Sequence, residues 1–154
     1  MGTRPSALTE EQLAELERQL RHVELMTRQA GRKILTNYPI TPPQFEALQW
    51  LKDEGDMTIG ELSGKMHLAF STTTDLVDRM ESSGLVERVR DKNDRRVVRI
   101  HLLDKGRALI RNVIHSRRMD IASKLSHLSL EQVEYLLNAL KLLNAAMKRE
   151  QSER

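Results

Sequence analysis

The sequence predicts a mainly α-helical fold that carries one small antiparallel β-hairpin. Three observations lead there. Aromatic residues make up only 3 % of the 154, so the core must be built from Leu, Val, Ile, Met and Ala, the residues of packed helices. Apolar residues recur at three- and four-residue steps along much of the chain, the period of an amphipathic helix. Clean alternation at period two occurs from Val98 to Leu102, the pattern of a half-buried strand.

Thr9 opens the first helix, offering a capping hydroxyl ahead of Glu10 and Glu11 in the first turn. Leu13, Leu16, Leu20, Val23, Thr27, Ala30 and Ile34 then trace a heptad seam, broken in polarity only at Thr27. So narrow a seam wants a partner helix, in the same fold or in a second subunit. The helix should fade near Tyr38-Pro39, because a residue before proline avoids the helical region. Thr41-Pro42 restarts the chain with a capping Thr and a proline whose missing N–H is no loss at the first helical position. Phe45, Leu48 and Leu51 line this second helix, which ends around Asp53 to Gly55. Thr58 and Glu61 form a capping box for a short helix to about Met66. His67 to Ala69 lead into a helix of about four turns that stops before Gly84, with Thr73, Leu76, Val77 and Met80 on one face.

Leu85 to Arg90, the polar Asp91-Lys92-Asn93-Asp94 and Arg95 to Leu102 make a hairpin with a charged tip. Asp104 is expected to cap the next helix, from Lys105 to about Leu125. His127 falls in a short link, and Ser129 with Gln132 gives another capping box. The final helix is expected to turn Val133, Leu136, Leu140, Leu143 and Met147 inward. Two short helices joined by a tight turn and followed by a hairpin are a winged helix-turn-helix, here set between two long helical regions.

Composition narrows the function. There is no cysteine, which excludes disulfides, Cys-based zinc sites and thiol sensing and suits a reducing cytoplasm. No apolar run approaches the roughly 20 residues of a membrane span, and no signal-peptide core is present, so a cytoplasmic protein is expected. An enzyme is not expected: a Gly-rich phosphate loop, a Ser-His-Asp arrangement and His-Glu-x-x-His are all missing. His22, His67, His101, His115 and His127 are scattered without metal-ligand spacing, so neither metal nor cofactor is expected.

The formal net charge is +3. Between Leu85 and Ile100, Arg88, Arg90, Lys92, Arg95, Arg96 and Arg99 face only Glu87, Asp91 and Asp94, an excess equal to that of the whole chain. Such a concentration is a footprint for a polyanion, and double-stranded DNA is the expected partner. The second helix of a helix-turn-helix fits the major groove. With its apolar face inward, the helix from Phe70 presents Ser71, Thr72, Thr74 and Asp75, and further on Arg79. An arginine at the hairpin tip can enter the minor groove, and Asp94 beside Arg95 and Arg96 can orient one guanidinium. The alternative is a winged-helix dimer that binds another protein without specific DNA recognition.

Leu62-Ser63, Ser71-Thr72-Thr73-Thr74, Leu76-Val77-Asp78-Arg79-Met80-Glu81, Gly84-Leu85-Val86-Glu87-Arg88, Asp94-Arg95-Arg96, and Leu102 with Asp104-Lys105-Gly106 occur in order. Together they resemble the winged-helix signature of the MarR (multiple antibiotic resistance regulator) family, and the long flanking helices match that family's layout. The resemblance implies a homodimer with interlocked first and last helices, reading a pseudo-palindromic site as a ligand-responsive repressor. It implies one domain over 1–154, with dimerisation helices at 9–38 and 104–149 and a DNA-binding lobe at 41–103. It places Arg96, supported by Asp94, in the minor groove, and Ser71, Thr72 and Thr74 towards the major groove. It also implies a small, often aromatic or lipophilic effector between dimer helices and reading heads. Trp50, Tyr38 and Met26 are candidates for that cleft, although their spacing suits core positions. Three departures stand out. Ala69 replaces a capping Ser, Phe70 sits where it meets a thymine methyl or tucks against the protein, and Leu103 replaces a Thr before Asp104.

Overall fold

Residues 8–152 are described by the structure, a computed structural model. The elements run α1 (Glu10–Leu35), α2 (Pro42–Glu54), α3 (Ile59–Met66), α4 (Phe70–Ser82), β1 (Val86–Arg90), β2 (Val98–Leu102), α5 (Asp104–Lys124) and α6 (Leu130–Ser152). The extreme ends of the 1–154 span lie outside the described residues. Two compact units, Met1–His115 and Ser116–Arg154, divide the chain within α5.

Side-chain caps set most of the helix starts. Thr9, Thr41 and Thr58 each accept from the backbone N–H three residues on, and Gln12, Gln44 and Glu61 each reach back to the cap N–H. Ser129 and Gln132 do the same before α6. A cap of this kind is worth about 1 kcal/mol. Asp104 is different from expectation: it is the first residue of α5, and the Leu103 carbonyl receives the Arg107 N–H. Its carboxylate therefore acts on the helix dipole from inside the first turn, not as the cap. Helix α1 ends at Leu35, a turn earlier than Tyr38-Pro39 requires. The Thr36, Asn37 and Tyr38 N–H groups close tight turns onto Lys33, Ile34 and Leu35 carbonyls.

The core of the first unit joins Phe45, Leu48 and Leu51 of α2, Leu62 and Met66 of α3, Val77 and Met80 of α4, and Val86, Ile100 and Leu102 of the hairpin. It reaches beyond 41–103 on both sides, taking in Leu35 and Ile40 before the lobe and Ile110 and Val113 of α5. Thr73 is the buried polar side chain of this core, and its hydroxyl donates to the Ala69 carbonyl at 3.1 Å. That bond removes the cost of an unpaired hydroxyl in an apolar setting.

A single corner around Leu85 fastens four elements. Helix α4 ends in a Schellman turn: the Leu85 N–H donates to the Met80 carbonyl and the Gly84 N–H to Glu81, with Gly84 at φ 72°. The Leu85 carbonyl then accepts from the Leu103 N–H at 3.0 Å, and Lys105 Nζ donates to the Ser83 carbonyl at 2.7 Å. Gly106 of α5 sits directly beneath; a Cβ there would lie 2.5 Å from the Leu85 carbonyl oxygen and 2.6 Å from Leu102.

Strands β1 and β2 pair antiparallel from Val86 opposite Leu102 to Arg90 opposite Val98. The second strand begins at Val98, where the alternation begins, and not at Arg95, where the sequence reading starts the second run of the hairpin, so Arg95 and Arg96 lie in the connection. Asp91 accepts the N–H groups of Asn93 and Asp94, and Asp94 accepts that of Arg96. These side chains capture the backbone and turn it before strand pairing can extend. Met57 forms a further antiparallel bridge to Ile100, a one-residue pairing with no periodicity to reveal it.

Among its described side chains, helix α6 buries none fully. Val133 and Leu143 are half-buried, but Leu136, Leu140 and Met147 are exposed where the pattern pointed them inward. On α1, Leu13, Leu16, Leu20 and Val23 are exposed as well. Both stripes exist as the spacing predicts.

The corner yields a paired test by urea denaturation. Gly106→Ala should cost about 1–3 kcal/mol through overpacking against backbone. Gly64→Ala, whose Cβ would meet nothing within 4 Å inside α3, should stabilise by roughly 0.5–1 kcal/mol.

Candidate nucleic-acid interface

The candidate interface is assembled from the leading end of α4 and the hairpin tip. Helix α4 turns Thr73, Val77 and Met80 inward, which leaves Ser71, Thr72, Asp75 and Arg79 exposed. Thr74 is half-buried, and its hydroxyl donates to the Phe70 carbonyl at 3.0 Å. It keeps acceptor capacity but has used its proton. No side chain caps the start of α4 at Ala69, so first-turn N–H groups of this helix stay open to an outside acceptor.

At the tip, Arg96 points into solvent with its side chain 92 % exposed, while its Nε lies 3.2 Å from Asp94 Oδ1. Asp94 also accepts the Arg96 backbone N–H at 3.1 Å, so one carboxylate aims the guanidinium and holds its loop. A single exposed ion pair adds little stability; its consequence here is direction. Arg95 is exposed, and its carbonyl accepts from Arg90 Nη1 at 2.9 Å. The Arg90 guanidinium thus braces the two sides of the tip.

Lys92 is exposed at the tip, whereas Arg88 and Arg99 of the basic segment are engaged inside the protein. Arg88 meets Asp78 at 2.6 Å and Glu81 at 2.9 Å, both on α4, and its own N–H donates to Glu81. The Asp78 bond, with Glu81, raises the Arg88 pKa above its usual value. Arg99 Nε donates to Asp91 at 2.6 Å, and Arg99 Nη1 reaches Glu61 of α3 at 3.4 Å. His101 Nδ1 lies 2.8 Å from Asp56 Oδ1, beside the Met57 bridge. Three contacts therefore tie the wing to the helical lobe. Sequence reasoning grouped Arg88 with the outward cations and missed Asp78, Glu81, Glu61 and Asp56 as partners. Asp78 and Glu81 share an i, i+3 face, which is the one local signal that could have exposed them.

Asp91 is the electrostatic anchor of the tip. The bond from Arg99 comes first, with the Asp94 and Asn93 N–H groups behind it, and together they lower its pKa to about 2. Tyr38 and Trp50 both pack against the lobe core. The Tyr38 hydroxyl donates to the Asn112 carbonyl at 3.0 Å, Lys65 Nζ sits 5.1 Å from the Trp50 ring centroid, and Met26 is exposed on α1. Among the described residues, no three His, Cys, Asp or Glu side chains cluster to hold a metal, and no helix is long and apolar enough to cross a membrane.

The MarR family model matches residues 40–98, the span holding the helix pair, β1 and the wing tip. The HTH-type transcriptional regulator YsmB of Bacillus subtilis is 52 % identical over 139 residues, covering 90 % of this chain and 95 % of the relative. The chain belongs to the MarR family. A MarR family protein from Bacillus stearothermophilus superposes with a TM-score of 0.83 at 55 % identity, over 92 % of this chain and 99 % of that one. The transcriptional regulator Tm0710 from Thermotoga maritima gives 0.80 at 38 % identity, over 92 % and 99 %. The protein is thus a MarR-type winged-helix transcriptional regulator.

The Asp91 network sets a pH dependence. Its pKa is depressed from 3.8 to about 2, so its contribution to stability is complete above pH 3.8 and disappears as pH falls through about 2. Arg99→Gln should move the Asp91 midpoint, followed by carboxyl-carbon NMR, upward towards 3.8. A midpoint that stays put would rule out Arg99 as the principal cause.

Proposed function

We propose that this MarR-family protein is a homodimeric repressor that binds a pseudo-palindromic operator and is released by a small-molecule effector. The observation that carries the proposal is the exposed Arg96 side chain, aimed by its ion pair with Asp94, on the same lobe that offers Ser71 and Thr72 at the leading end of α4. In this reading the helix end enters the major groove, where base edges carry distinct hydrogen-bonding patterns. Arg96 enters the flanking minor groove, where negative potential is concentrated. Arg79 and Arg95 take phosphates, while Asp75 accepts from a base amine.

Dimerisation is supported by the uncovered stripes of α1 and α6, since exposed apolar faces of this extent mark interaction surfaces. We assign 9–38 and 104–149 to the dimer and 41–103 to DNA reading. A dimer spanning two half-sites blocks a promoter by occupying it. Because Tyr38 and Trp50 are committed to the core of the lobe, an effector would act on the spacing between the two heads. It must bind the two spacings unequally to shift the equilibrium. The activity is binding alone, exerted in the cytoplasm, without catalysis.

Selection from a random duplex library at two salt concentrations tests the proposal. The expected product is a pseudo-palindrome with half-sites one helical turn apart, or a multiple of it. Arg96→Ala should weaken specific binding about tenfold and reduce the log–log salt slope by about one per subunit. Arg88→Ala should weaken binding without changing that slope, because its charge is already met by Asp78 and Glu81. Recovery of no sequence, together with an Arg96→Ala variant that binds like the parent, would favour a protein-binding module instead.

A further inference from the structure

Within 41–103 nearly every large apolar side chain is turned inward, and two are exposed: Phe70 and Val98. Both lie on the proposed DNA face, one as the first residue of α4, the other where β2 leaves the wing tip. Phe70 is 62 % exposed. By helical spacing it continues the buried stripe of Thr73 and Val77, yet that stripe runs off the end of the core one turn too early to cover it. Its ring therefore projects at the leading end of the helix beside Ser71 and Thr72, the end that enters a major groove first. Its own carbonyl holds the Thr74 hydroxyl, which fixes the first turn that carries the ring.

We infer that Phe70 is a specificity-determining residue that reads the C5-methyl group of a thymine in each half-site. The reasoning rests on the DNA-reading role proposed above. The thymine methyl is the apolar feature the major groove displays, and it is the one base-edge group to which an aromatic ring is complementary. Cytosine has no methyl at the matching edge, and since thymine O4 and cytosine N4 are both polar there, the methyl is the group by which the ring tells them apart. Val98, short and on the wing, has no such reach and is not assigned a base.

The test replaces each thymine of the selected operator in turn by deoxyuridine, which deletes the methyl and leaves pairing intact. Full-length parent and Phe70→Ala protein are titrated against each duplex. For the parent, one position per half-site should lose about fourfold in affinity, the value of one buried methyl-sized group. Phe70→Ala should bind the thymine and deoxyuridine duplexes equally, and Phe70→Leu should restore part of the preference. Three results overturn the inference. They are no methyl-sensitive thymine for the parent, the same sensitivity in Phe70→Ala, or a Phe70→Ala dimer that dissociates more readily, which puts the ring against a second copy. A library that yields no operator at all defeats the DNA-reading role itself, an outcome distinct from an operator that ignores Phe70.

Discussion

The backbone of Leu85 is the point through which recognition helix, wing and α5 are referred to one another. Its N–H closes the Schellman turn of α4, its carbonyl takes Leu103 at the end of the wing, and its own side chain is buried in the core. The first turn of α5 approaches so closely that only a glycine, Gly106, fits under it. None of these contacts is a long flexible side chain. A reading head that must present a helix and a hairpin tip together gains from a rigid joint, because placement errors in either element directly cost contacts on the duplex.

Side-chain ion pairs then set the angle of the wing from that joint. Arg88 reaches back to Asp78 and Glu81 on α4 and Arg99 to Asp91 at the tip and Glu61 on α3, while a hydrogen bond joins His101 to Asp56 beside the Met57 bridge. The basic segment of the chain is consequently divided in two. One set of cations is neutralised in holding the wing, and the other, with Arg96 foremost, faces outward. A count of arginines therefore overstates the charge available to a polyanion.

Much of the fold was legible because its signals are local. Capping residues at Thr9, Thr41, Thr58 and Ser129, the proline after Thr41 and the glycine at 84 fix helix ends through contacts spanning a few residues. The alternation of Ile100 and Leu102 reported a buried strand face. What escaped was non-local or competitive. The Met57 bridge is a single residue, the Asp91 and Asp94 turns shorten the run expected from Arg95, and Arg88 looks like any other surface cation until α4 is placed beside it. The α6 pattern showed correctly that an apolar stripe exists, but a stripe does not say what covers it. The hydroxyls at 71, 72 and 74 were legible as a group, while the back-bond that occupies Thr74 depends on its rotamer.

Footprinting of the selected duplex with dimethyl sulfate for the major groove and hydroxyl radicals for the backbone and minor groove is the most direct test of the central claim, that one dimer reads DNA with two heads, each a helix end and a wing tip held in fixed relation. Two patches of major-groove guanine N7 should be protected from methylation, separated by one helical turn or a multiple of it, with hydroxyl-radical protections in the minor groove beside them that vanish when Arg96 is replaced by alanine. Continuous or sequence-indifferent protection, or minor-groove protection that persists without Arg96, would contradict it.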